Sequence, residues 1–267
     1  MNGDLKVHRI KINKSYQPKK TLEWSSLKMK DLSIILPAYN EEKRIGSTLK
    51  KINDYLSKST YSYEIIVADD GSTDETVNLV KNLQQNMPNI RIVCCETNKG
   101  KGQAVRVGML AAEGQIRLFS DADGSTPIDE LEKILAPIIN GQAKISIGSR
   151  YLSESEITKS QPFYRRVWSR FANQIVQKML LPGIVDPNCG FKAFEAETTH
   201  RIFSQCTVNE WSFDLEVLGL ARKLGISVAE VPVKWIHDEA SKGKIRHLPQ
   251  EIRNLFEIRK RLQLNGT

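Results

Sequence analysis

Short apolar runs alternate with helically spaced segments, a polar cluster follows each run directly, and no long apolar stretch interrupts the series. Together these predict an α/β fold: one domain with a mostly parallel central sheet and helices on both faces.

Leu32–Leu36 is a β-branched run closed by Pro37, the pattern of a short buried strand. From Glu41 to Leu56, apolar residues at Ile45, Leu49, Ile52 and Leu56 have helical spacing. Glu64–Ala68 reads as a second strand, Asp69–Asp74 as a polar turn, and Val77, Leu79, Val80 and Leu83 as a helix face. Ile90–Cys95 is a third strand, Gly102–Ala112 a helix, and Ile116–Ser120 a fourth strand. Strand–helix–strand succession implies right-handed crossovers and parallel pairing. Beyond Asp123 the pattern is less regular: a strand at Lys144–Gly148, a basic amphipathic helix over 163–181, a late strand at Val228–Trp235 and a second basic amphipathic helix over 248–262. The expected organisation is a polar, mobile basic arm over 1–30, the α/β domain over 31–236, and a basic amphipathic segment over 237–267.

A chain of 267 residues, 40% hydrophobic, is long enough to bury a real core. Its four cysteines, Cys94, Cys95, Cys189 and Cys206, form no C-x-x-C, which suits a reducing compartment. The first twenty residues hold no apolar stretch, and no run reaches the roughly 18 apolar residues of a membrane span. The net charge of +8 gathers in the first thirty residues, at Arg165–Arg170, and from Lys234 onward, and it calls for anionic partners. No zinc-finger spacing or RNA-recognition aromatic signature accompanies it, so nucleic acid is not the expected partner.

In open sheets of this kind ligands bind beyond the carboxyl ends of the strands. The polar clusters fall there: Pro37–Glu41, Asp69–Asp74, Asn98–Gly102 and Asp121–Asp123. Asp121-Ala122-Asp123 offers two carboxylates to one hard cation, Mg²⁺ or Mn²⁺, which takes oxygen ligands and shares them with phosphates. Asp also caps helices and fills turns, so this pair weighs most in company with the other three clusters. Ser72 or Asp74 reads as a helix cap, which leaves Asp69 to accept hydrogen bonds from a base or ribose. Gly100-x-Gly102 imitates a dinucleotide fingerprint, but Val105 stands where Gly or Ala is required. A glycine-loosened, lysine-bearing loop near a diphosphate is the better reading. His8, His200, His237 and His247 are scattered and carry no role, and neither G-x-S-x-G nor a P-loop is present.

Leu36-Pro37-Ala38-Tyr39-Asn40-Glu41, Asp69–Asp74, Lys99–Gly102 and Asp121-Ala122-Asp123 resemble the successive donor-site motifs of family 2 glycosyltransferases of the GT-A fold, with its Rossmann-like sheet. Gly148-Ser149-Arg150, Asp186–Lys192, Trp211–Glu216 and Ser241-Lys242 resemble the polyprenyl-phosphate branch, the dolichyl-phosphate β-glucosyltransferases and mannose synthases. The likeness runs from about residue 31 to 262. It implies that Pro37, Ala38, Tyr39, Glu41 and Asp69 hold the nucleotide, with Lys99, Gly100 and Ala122 along it. Asp121 and Asp123 would bind the metal and the diphosphate, the third ligand position falling on Ser125. Arg150, Arg165 and Ser169 match positions that meet an acceptor phosphate, and Lys192, Lys242 and Arg246 add cations for it. Asp214 or Glu216 would orient sugar hydroxyls, or act as base toward a hydroxyl acceptor.

The function implied is inverting transfer of a hexose, glucose from UDP-glucose, to a polyprenyl or dolichyl phosphate. It would take place at the cytosolic face of a membrane, with helices 163–181 and 248–262 lying on the surface. Many relatives carry transmembrane helices or an N-terminal anchor; neither is read in this chain. Three alternatives stay open: a saccharide-hydroxyl acceptor, a GDP-mannose donor, and a non-catalytic nucleotide-sugar module. A nucleotidyltransferase would share the sheet and the paired acids.

Overall fold

A computed structural model describes residues 6–9, 30–159, 173–236 and 248–263. Its core is an eight-stranded sheet in the order β1-β9-β6-β8-β5-β2-β3-β4. The strands are β1 (Val7–Arg9), β2 (Leu32–Ala38), β3 (Tyr63–Asp69), β4 (Ile90–Cys94), β5 (Ile116–Ser120), β6 (Ile145–Ser149), β8 (Phe191–Glu195) and β9 (Val228–Pro232). Only β8 runs antiparallel to its neighbours β5 and β6. A separate two-stranded ribbon pairs β7 (Glu156–Lys159) with β10 (Lys234–Ile236).

The continuous apolar runs are explained by burial on both faces. In β2, Ile34 and Leu36 point into one core layer while Ile35 points into the other; Ile65 and Ile66 of β3 divide in the same way. The first layer is completed by α1 (Ile45–Leu56), α2 (Thr76–Gln84) and α4 (Leu131–Ile139). The second holds α3 (Lys101–Ala111), α5 (173–179), α6 (Ala196–Phe203), α7 (Phe213–Lys223) and α8 (Leu248–Leu262). Phe119 anchors this layer, its ring 6.3 Å from Phe194 and 5.7 Å from Phe213. The chain steps outward through β2, β3 and β4, then α3 returns it to the other side of β2 as β5. That reversal opens a crevice at the carboxyl ends of β2 and β5.

Four expectations change. Pro37 does not end its strand: β2 continues to Ala38, with Pro37 opposite Ala68 and Ala38 opposite Asp69. The ladder to β5 stops at Ile35, so one flank of Pro37 is free of pairing. The arm is not wholly irregular, because Val7–Arg9 adds an edge strand parallel to β9, with Val7 opposite Val228. The late strand divides, Val228–Pro232 joining the main sheet and Lys234–Ile236 the ribbon.

The fourth change concerns the basic helices. In α8, Leu255, Ile258 and Leu262 are buried in the core layer with α7. Leu255 and Leu262 of the apolar line expected to rest on a membrane are therefore used for packing, while Phe256, 55% exposed, faces outward; the side chain of Ile252 lies outside the described residues. In α5, Val176 is buried in the same layer; the expected basic part of that helix, with Arg165, Arg166 and Arg170, lies outside the described residues. Among the described residues no helix is long and apolar enough to cross a membrane.

Candidate active site

Side chains from four strand ends are tied together before any ligand is considered. Asn40, at φ 53°, accepts from Thr73 N–H at 2.9 Å, and its own N–H donates to Ser72 Oγ at 2.9 Å. Glu41 N–H donates to Thr76 Oγ1 at 2.8 Å. Asp74 accepts from the Thr76 N–H and hydroxyl and the Glu42 N–H, while the N-cap of α2 is Glu75, with no side-chain cap bond. Burial pushes the Asp74 carboxyl up, but these donors outweigh that and hold it below the usual carboxylate range. Asp70 takes the next loop: its two oxygens accept from Lys99 N–H at 3.1 Å and Gly100 N–H at 2.7 Å. Its carboxyl is nevertheless raised, first by burial and then, among smaller effects, by the charge of Asp69. Gly100 sits at φ +114°, and a Cβ there would meet Asn209 O at 2.5 Å.

The loops enclose a pocket of about 320 Å³. Of the donor residues expected from the sequence, Pro37, Ala38, Tyr39, Glu41, Gly100, Asp121, Ala122 and Asp123 border it. Asp69 is not among the residues that border it: Oδ2 accepts from Gly71 and Ser72 N–H, while buried Oδ1 has no partner. Such an orphan acceptor suits a ligand N–H or O–H. Lys99 goes elsewhere, lining a second groove with Asn209, Glu210 and Arg261.

Two cations border the pocket, Arg44 and Lys101, and sequence reasoning did not single out Lys101. Its Nζ stands 2.5 Å from Asp121 Oδ1 and 5.2 Å from the centre of the Trp211 ring. Burial alone would lower its pKa, but the charges of Asp121 and Asp214 raise it. As the first residue of α3, it also brings the positive end of that helix to the pocket. Trp211, 45% exposed, forms the opposite lip. The run Lys99-Gly100-Lys101-Gly102 contained the signal, since residues two apart at a helix start diverge in direction.

Asp121 is fixed by the Asp186–Lys192 segment. Its N–H donates to Gly190 O at 3.0 Å, and its carboxylate fills the space a Cβ at residue 190 would need. Asp123 Oδ1 accepts from Ser125 N–H at 2.9 Å. Its carboxyl is raised, first by burial and next by the charge of Asp121. Two close carboxylates against one lysine form an all-oxygen donor set that fits a hard divalent cation. Among the described residues no third acidic, histidine or cysteine ligand gathers beside them. Ser125 serves Asp123 as a hydrogen-bond donor.

The residues expected around an acceptor are placed differently. Lys192 is a correction: it is fully buried, its Nζ donating to Cys189 O at 2.6 Å and Asp214 Oδ1 at 2.5 Å, so its charge is spent inside. Asp214 is buried beneath Lys101, and burial raises its carboxyl despite Lys192 and Lys101. Glu216 accepts from Thr207 N–H at 2.8 Å and Val208 N–H at 2.7 Å and pairs with Arg261, so it is a structural group. Arg150 makes a two-pronged pair with buried Asp186, at 2.7 and 2.8 Å, and packs over Tyr151 and Trp235. Burial pulls its pKa down, but Asp186 outweighs that and raises it. Arg165, Ser169, Lys242 and Arg246 lie outside the described residues.

Residues 33–203 match the model of Glycosyl transferase family 2. The chain is 39% identical over 222 residues to a dolichyl-phosphate beta-glucosyltransferase of Dictyostelium discoideum, covering 79% of this chain and 68% of that protein. It is 36% identical to the Homo sapiens dolichyl-phosphate beta-glucosyltransferase, over 80% of this chain and 69% of that one. Glucosyl-3-phosphoglycerate synthase of Mycobacterium tuberculosis, solved with Mn²⁺, uridine-diphosphate and glucosyl-3-phosphoglycerate, shares the fold with a TM-score of 0.64 at 20% identity, covering 89% of this chain and 82% of that chain. By the match of sequence and the agreement of fold, the chain belongs to glycosyl transferase family 2, the GT-A glycosyltransferases.

Proposed function

We propose that the chain moves glucose from UDP-glucose to a polyprenyl phosphate, of which dolichyl phosphate is the form its relatives are named for. Each carboxylate bordering the pocket already has a partner: Glu41 has Arg44, Asp70 the Lys99 and Gly100 N–H groups, Asp121 has Lys101, and Asp123 has Ser125. Transfer to a hydroxyl would require one of these carboxylates to be released from its partner to act as base. A phosphate acceptor needs none, because its oxygen is already anionic. This observation carries the reading and favours it over transfer to a saccharide hydroxyl.

Asp121 and Asp123 would hold Mg²⁺ or Mn²⁺, which when bound neutralises charge developing on the diphosphate. Lys101 and the start of α3 lie against the same group and stabilise it as it leaves. Asp69 Oδ1 takes a donor from the nucleoside. An acceptor oxygen attacks the anomeric carbon, the new C–O bond forming as the bond to UDP breaks and UDP departs with the electron pair. Attack opposite the leaving group inverts that carbon. Because such an acceptor keeps its tail in a bilayer, the chain works at a membrane surface.

A panel of UDP- and GDP-sugars, assayed with polyprenyl phosphate and either metal, tests the reading. Nucleotide release that needs both UDP-glucose and the lipid phosphate is expected. Release from GDP-mannose alone, or with a sugar alcohol replacing the lipid, contradicts it.

A further inference from the structure

Lys101 opens α3 between two glycines whose surroundings admit no side chain. A Cβ at 100 would meet Asn209 O at 2.5 Å, and one at 102 would meet Phe213 Cβ and Val208 O, each at 2.6 Å. Gln103 N–H donates to Asn209 O at 3.2 Å, so the start of the helix is clamped against the 208–213 segment. From that fixed backbone the ammonium reaches Asp121 Oδ1, with the Trp211 and Phe213 ring centres 5.2 and 5.8 Å away and the side chain only 15% exposed. Asp121 is held as firmly, its N–H on Gly190 O and its carboxylate against Gly190.

The other charges nearby are already matched. Lys192 holds Asp214 at 2.5 Å, and Glu41 holds Arg44 at 2.7 and 2.8 Å. Lys99 borders the other groove. Asp121 is therefore the carboxylate that Lys101 neutralises, and it is also one of the two acids assigned to the divalent cation. We infer that Lys101 is the built-in counter-ion of this site: it contends with the divalent cation for Asp121, and it gives that carboxylate up when a diphosphate offers its own oxygens to the ammonium. This rests on the reading of Asp121 and Asp123 as the acids that hold Mg²⁺ or Mn²⁺.

Two cations that share one carboxylate repel each other, and the repulsion is stronger where water is scarce. An exposed lysine would swing into solvent at little cost. Lys101 has little such freedom, because its backbone is clamped and two rings flank its stem. Its charge thus weakens the hold of the paired acids on a cation that arrives alone. A diphosphate changes the balance, since its oxygens accept from the ammonium and from the N–H groups at the start of α3. The cation is then retained together with the nucleotide and loosened once UDP departs.

The test uses the full chain and compares the parent with Lys101→Met and Lys99→Met. Mn²⁺ binding without nucleotide is followed by the loss of the free-ion paramagnetic resonance signal, and UDP binding in excess Mn²⁺ by calorimetry. Without nucleotide, Lys101→Met is expected to bind Mn²⁺ about tenfold tighter than the parent, the scale on which a side chain beside a metal ligand tunes affinity. In excess Mn²⁺ the same variant should bind UDP about tenfold more weakly, having lost a charged donor to the diphosphate. Lys99→Met should match the parent in both. The opposite signs separate a counter-ion from other roles. Unchanged Mn²⁺ affinity with weakened UDP makes Lys101 a diphosphate contact only and overturns the inference. Weakening of both marks damage to the site, and unchanged UDP affinity removes the diphosphate from the exchange; either overturns it as well. Lys101→Gln carries the same expectations and replaces Lys101→Met if a melting curve shows that variant unfolded. A parent that binds no Mn²⁺ with or without UDP would sink the metal reading of Asp121 and Asp123 itself, and the counter-ion falls with it.

Discussion

Gly190 and Asp121 occupy one space: the carboxylate of Asp121 lies where the side chain of any larger residue at 190 would begin. The glycine is a steric requirement of the metal-binding acid, although the two are far apart in sequence. Gly190→Ala should displace the carboxylate and lower kcat by about 100-fold, the usual effect of a displacement near 1 Å at a reacting centre. Steady-state kinetics beside a melting curve checks this; a variant with parental kcat contradicts it.

Lys101 and Lys99 should separate cleanly. Lys101→Met removes the cation beside Asp121 and should cost about 100-fold or more in kcat, the scale of one preorganised group stabilising a leaving anion. Lys99→Met should change turnover little, because its side chain borders the other groove. Equal losses would show that both lysines reach the diphosphate.

The C-terminal helix supports the pocket at a distance. Arg261 pairs with Glu216, Glu216 holds Thr207 and Val208, and Asn254 Nδ2 donates to Ser212 Oγ at 3.1 Å, bracketing the loop that carries Trp211. Glu216→Ala removes the acceptor of two part-buried N–H groups and of the partly exposed Arg261 guanidinium, so about 1–2 kcal/mol of stability should be lost. Chemical denaturation measures that loss. The donor KM should rise as well, since the Trp211 lip loses its brace.

Acid should destabilise the fold partly through Glu64. Burial pushes its carboxyl up, but the Arg91 guanidinium, the Ser33 hydroxyl and the Glu113 N–H outweigh that and lower it from 4.5. A folded-state pKa below the unfolded one gives stability that is full above about 4.5 and lost as pH falls through the lowered value. Denaturation midpoints measured from pH 6 to pH 3 should therefore fall, and Glu64→Gln should flatten part of the slope.

Much of this arrangement could be read from the chain. Strand ends signalled by Pro37, Asp69 and Asp121 converge because parallel strands put their carboxyl ends at one edge of the sheet. Side-chain direction was harder to read. Lys99 and Lys101 are equivalent in composition, and only the start of α3 decides which one enters the pocket. The fates of Lys192, Arg150 and Glu216 depended on partners 22, 36 and 45 residues away, which no local pattern reports. The apolar face of α8 had the same periodicity whether it met α7 or a bilayer.

The central claim is glucose transfer to a lipid phosphate through the Asp121 and Asp123 carboxylates. The most direct measurement incubates the chain with radiolabelled UDP-glucose, dolichyl phosphate and Mg²⁺ or Mn²⁺, then counts label extracted into organic solvent. Label should enter the lipid phase only when the lipid phosphate and a divalent cation are both present, and Asp121→Asn or Asp123→Asn should remove most of it. Label that stays in the aqueous phase, or reaches the lipid undiminished in excess chelator, would contradict the account.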